Sequence, residues 1–137
     1  MHLLVREISP YTAVNRLLGV FRTLADAEAS RTTYLRSVVH GANDPWVKQA
    51  YRRVSDADVV IVSDLEQLES VEASTRVFVV TSKSEALGQV VLKLEAISGS
   101  EGAARKRASE LEAQDDGEFP FSCDVHVLEV GELRLDA

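Results

Sequence analysis

The chain has 137 residues, 45% hydrophobic and 27% charged, an ordinary globular balance that argues against wholesale disorder and is sufficient to bury a core. The longest apolar runs, Val59 to Val62 and Val77 to Val80, fall far short of the roughly 20 residues that cross a bilayer, so no membrane span is expected. Net charge is −7, and residues 110 to 137 carry nine acids against the single base Arg134, so the chain ahead of them is nearly neutral.

The N-terminus, Met1-His2-Leu3-Leu4-Val5-Arg6, has neither a cationic stretch nor a long apolar segment, so no signal peptide is expected. One cysteine, Cys123, cannot form an internal disulfide. Both features favour a reducing cytoplasm.

Leu3 to Ile8 is rich in strand formers and is followed by a polar turn. Val14, Leu18 and Val20 then alternate as one face of a second strand, with Arg16 interrupting the pattern. Thr23 ahead of Leu24-Ala25-Asp26 resembles a capping box and starts a helix expected over about Leu24 to Val39. Asp44-Pro45-Trp46 reads as an N-cap with proline at the first helical position. It opens a short extra helix with Val47, Ala50, Tyr51 and Val54 on one stripe. Asp58 to Ser63 is the third strand, and the acidic segment Leu65 to Thr75, without Pro or Gly, reads as a helical linker.

The same series then recurs, with Leu3-Leu4 aligning on Val79-Val80 and Leu18 on Leu94: a strand over Arg76 to Ser82, a second with Val90, Leu92, Leu94 and Ala96 alternating, and a helix over Glu101 to Ala113 after Ser100. A last strand covers Phe121 to Val130. The expected architecture is therefore α+β: two tandem pseudo-symmetric ββαβ repeats, about residues 1–70 and 71–137. They form one sheet or half-barrel packed by two main helices, with the short extra helix in the first repeat. Neither half alone buries much core, so residues 1–137 are expected to form a single domain.

The signatures of catalysis are missing. The sequence holds no Gly-rich phosphate loop, paired-histidine zinc helix, nucleophile elbow or paired CxxC. Cys123 and His126 are three apart on a strand and point to opposite faces, so they make neither a metal site nor a nucleophile–base pair. No catalytic residue, metal or cofactor is implied, and an enzyme is the third-ranked reading.

Arg31 and Arg107 fall within the apolar stripes of their helices, where an unpaired charge is costly. The expected resolution is pairing with the repeated aspartates Asp58 and Asp124; the alternative is that both arginines converge near a pseudo-twofold axis to bind a small anionic ligand. Trp46 and Tyr51 read as a lid or as an aromatic partner anchor. Arg105-Lys106-Arg107 and Arg52-Arg53 read as solvated faces rather than a nucleic-acid patch.

The acidic C-terminal quarter repels nucleic acid and anionic lipid and attracts basic surfaces. The leading expectation is a non-enzymatic interaction protein of the inhibitor, immunity, anti-defence or adaptor type that docks a basic protein. Its contact residues would include Glu110, Asp115, Asp116, Glu118, Glu129 and Glu132. Neither nucleic acid nor membrane is an expected partner, and homo-oligomerisation is compatible with the sequence.

Overall fold

The computed structural model describes residues 1–7, 15–40 and 59–135. The extra helix placed over 44–54, its Trp46 and Tyr51, Arg52-Arg53, and Asp58 lie outside the described residues.

The fold is α+β, with two sheets and two helices among the described residues. Strands β1 (His2–Glu7), β2 (Asn15–Phe21) and β3 (Val59–Val62) form the first sheet in the order β2-β1-β3, every pairing antiparallel. Strands β4 (Glu66–Gln67), β5 (Arg76–Ala86), β6 (Gln89–Ser98) and β7 (Phe121–Glu129) form the second, in the order β4-β6-β5-β7. Only β4 on β6 is parallel. Helix α1 (Leu24–His40) follows β2, and α2 (Glu101–Gln114) follows β6. Both begin where the sequence places them: the Thr23 hydroxyl accepts the Asp26 N–H at 3.1 Å, and the Ser100 hydroxyl accepts that of Ala103 at 3.3 Å.

The segment read as a helical linker is instead β4 followed by a turn. The Leu68 N–H donates to the Ile97 carbonyl and the Gly99 N–H to the Glu69 carbonyl, which add this segment to the edge of β6. Val71 in the turn is buried in the central core, so tertiary contacts outweigh the segment's local helix preference.

The two sheets share an apolar layer of Leu3, Val5 and Val20 from the first and Val77, Val79, Ile97 and Leu128 from the second, with Val71. The outer face of the first sheet (Leu4, Leu18, Phe21, Val59) packs under α1 through Ala27 and Tyr34. That of the second (Val80, Ala96, with Phe78, Cys123 and Val125) packs under α2 through Ala104 and Ala108. Each fully buried aliphatic side chain is worth about 1.5–3 kcal/mol relative to exposure, so these layers dominate the driving force.

Strict alternation fails at one place in each hairpin. The register slips between Leu4 and Val5, leaving Leu18 unopposed, and again between Val80 and Thr81, leaving Glu95 unopposed. An extra residue flips everything beyond it to the other face. Leu18 and Val20, expected on one face, therefore enter different cores, as do Leu94 and Ala96.

The sheets meet along β2. Val20 bridges Val130 in parallel, and the Gly131 and Arg134 N–H groups donate to the Val20 and Leu18 carbonyls at 2.8 and 2.7 Å. Gly19 permits this approach, since a Cβ there would stand 2.7 Å from the Glu132 carbonyl oxygen and 2.9 Å from the Phe21 ring. Gly19→Ala is expected to destabilise the protein by about 1–3 kcal/mol in a urea titration, as over-packing does. An unchanged midpoint would show that residues 131–134 do not hold the first sheet.

Candidate interaction surface

Arg31 and Arg107 are each engaged in their own surroundings. Half-buried Arg31 donates from Nε to the Val59 carbonyl at 2.8 Å, fastening α1 to β3. Arg107, its side chain 25% exposed, pairs with Glu66 on β4 at 3.3 Å and with Glu110 one turn along α2 at 3.6 Å. The expected Asp124 partner is not used: Asp124 lies exposed on β7, opposite Thr81. The reason is geometric. Asp124 alternates with Cys123 and Val125, which face α2, so its side chain leaves from the other face of the strand.

Equivalence of the two arginines also fails. The alignment that sets the slip at Leu4 on the slip at Val80 sets Leu24, the start of α1, on Ser100, which only caps α2 ahead of its start at Glu101. Counted from the helix starts, buried Ala27 matches buried Ala104, and Arg31 matches Ala108 rather than Arg107. Their helices cover different sheets, and each guanidinium serves a bond within its own layer.

A polar contact the sequence did not signal lies under α1. Tyr34 is fully buried, and its hydroxyl accepts a 2.9 Å hydrogen bond from Arg6 Nη1 on β1. Of the aliphatic residues expected to face the sheet from α1, Ala27 is buried and Leu35 partly buried while Leu24 is 48% exposed, and the tyrosine ring supplies the cover that Leu24 does not.

The acids of the C-terminal quarter fall into two groups. Glu129 pairs with Arg76 Nε at 2.8 Å, and Glu132 follows it in the turn after β7. Asp115, Asp116 and Glu118 lie before β7, on the exposed loop leaving α2. The length of β7, about 27 Å at roughly 3.4 Å per residue, separates the groups. Glu110 is occupied by Arg107 and Glu112 by the Cys123 N–H at 2.9 Å. The Asp115 and Asp116 carboxylates accept the Gly117 and Glu118 N–H groups at 3.0 Å, which shapes the loop and leaves its charge unneutralised. Among the described residues no ion pair involves Asp115, Asp116 or Glu118.

Cys123 borders a groove of about 350 Å³ between α2 and β7 with Arg105, Ser109, Glu112 and Asp124. Burial, reinforced by the carboxylates of Glu112, Glu95 and Asp124, pushes its thiol up to about 11 from 9.0. The group is therefore a protonated thiol at neutral pH, the wrong state for a nucleophile or metal ligand. No three metal-ligating side chains converge among the described residues.

No known family model matches the sequence, and neither a curated protein nor a solved structure shows significant similarity to the chain.

Cys123 is the chain's one cysteine, so its chemistry reads out cleanly. At pH 8 a rise of two pKa units leaves about 100-fold less thiolate. Iodoacetamide is expected to alkylate the native protein far more slowly than the urea-unfolded chain, with the native rate still rising above pH 10. Equal rates at pH 8 would mean that the thiol is not shielded.

Proposed function

We propose that the protein is a single-domain interaction module, not an enzyme, that docks a basic protein surface through its acidic C-terminal quarter. The observation that carries this reading is the loop after α2. Asp115, Asp116 and Glu118 sit together, exposed and without a cation among the described residues, whereas Glu110 and Glu129 are paired. The carboxylate oxygens of Asp115 and Asp116 shape the loop, but the unpaired like charges repel one another; they steer a cationic partner and speed its encounter.

The framework is proposed to be two diverged ββαβ repeats. The order strand, strand, helix, strand occurs twice, β2-β1-β3 corresponds to β6-β5-β7, and the bulged residues Leu18 and Glu95 each stand six residues ahead of the helix start that follows. The halves differ at β4, which has no counterpart among the described residues of the first half. In the second half the acidic loop lies beside the hairpin end, held by the Glu85 N–H on the Pro120 carbonyl. The ligand alternative, which needs Arg31 and Arg107 at a common axis, draws no support from their separate engagements.

With a partner isolated from the native host, the triple variant Asp115→Asn, Asp116→Asn, Glu118→Gln is expected to associate several-fold more slowly in low salt. Wild type should slow towards it as salt screens the charges over a Debye length of about 8 Å near physiological strength. Asparagine retains the oxygen that closes each turn, so the thermal melting curve should stay unchanged. An unchanged association rate in low salt sinks the docking reading.

A further inference from the structure

The β5–β6 hairpin ends in Leu87-Gly88, a two-residue turn between the paired residues Ala86 and Gln89. Both turn residues have positive φ, 54° at Leu87 and 76° at Gly88. Such a turn favours Asn or Asp followed by Gly, whose backbones enter the left-handed region at little cost; leucine is a poor choice there. Leu87 is also 94% exposed, so it gains nothing from burial. It is therefore disfavoured by its backbone and unsupported by packing.

Its surroundings form a surface. Val91, Ser84 and Phe121 stand in one row across β6, β5 and β7, on the face that α2 covers further up. The apolar residues beneath α2 reach only as far as Cys123, so this row lies past the helix, with Val91 51% exposed. The Glu85 N–H donates to the Pro120 carbonyl at 3.0 Å, which pins the acidic loop beside the hairpin end and brings up Phe119, 44% exposed. The loop beside this row carries the carboxylates of Asp115, Asp116 and Glu118; Glu85, with Lys83 at 3.5 Å, alternates to the opposite face of β5, and Lys93, 4.0 Å from Glu95, is the ammonium on the row's own face. Apolar side chains bordered by negative charge make the complement of a cationic segment with apolar residues at its centre, the arrangement in which anchors bury and charges remain at the rim.

We propose that this hairpin end, anchored by Leu87, docks a partner-protein segment in which lysines or arginines flank apolar side chains. The inference rests on the acidic docking reading and adds the anchor and the apolar half of the partner's chemistry. Nucleic acid and anionic lipid fit the surface badly because both carry the same sign as its rim.

The test is an NMR titration of the labelled full chain with a short amphipathic lysine–leucine peptide, using oligolysine of equal charge as control, in low and physiological salt. The lysine–leucine peptide is expected to bind more tightly and to shift resonances of residues 84–91 and 115–121. Leu87→Asn should weaken it about tenfold, the scale of losing an anchor side chain, while raising the urea midpoint because asparagine suits the turn. A variant that folds better and binds worse cannot be explained by misfolding. Equal affinity for the two peptides, or no effect of Leu87→Asn, overturns the anchor while leaving acidic docking standing. If neither peptide binds even in low salt, both readings fall. Concentration-dependent self-association abolished by Leu87→Asn would assign the surface to a second copy of the chain and overturn the proposal.

Discussion

One apolar layer lies between the two sheets, and the remaining elements are arranged by it. Leu3, Val5 and Val20 on one side and Val77, Val79, Ile97 and Leu128 on the other exclude water from both inner faces. A sheet that buries its inner face and still carries apolar residues on its outer face needs a second cover, which α1 and α2 supply. The small residues at the helix contacts, Ala27, Ala104 and Ala108, let those helices sit close to the strands.

The bulges at Leu18 and Glu95 follow from the same demand. A strand feeding two cores must present apolar side chains to both, and an unopposed residue shifts the pattern between them without ending the pairing. At Glu95 the cost of turning a carboxylate towards a covered face is offset locally: Ser82 donates to Glu95 Oε1 at 2.8 Å, and Lys93 lies 4.0 Å away. At the other end the C-terminal segment lies along β2, and Arg22 donates to the Glu72 and Ser74 carbonyls at 2.5 Å, tying the start of α1 to the turn before β5.

Reactive side chains among the described residues are held in internal contacts. The one thiol is held protonated, and Arg107 is held by two carboxylates. What stays unused is peripheral: the second hairpin outruns the helix that covers its outer face, and the loop beside it holds negative charge that no base among the described residues neutralises. Charge there acts at long range and apolar area at contact, the two features on which the proposed docking rests.

Apart from β4, which it reads as helical, the sequence by itself determined the order of the described strands and the two helices, because apolar periodicity and hydroxyl caps such as Thr23 and Ser100 are local signals read over a few residues. It also determined where negative charge accumulates. The tertiary structure alone decided which carboxylate meets which arginine. Arg107 finds Glu66 rather than Asp124 because β4 is laid against β6 by hydrogen bonds between segments distant in the chain, a pairing no local pattern records. It decided, too, that Leu18 and Val20 part company. A bulge is set by the partner strand, so the sequence shows the alternation and not the residue at which it slips. Leu87 belongs wholly to the tertiary structure: its turn shows in the positive φ of Leu87 and Gly88, and its isolation from every core depends on how far the strands beneath it run past their helix.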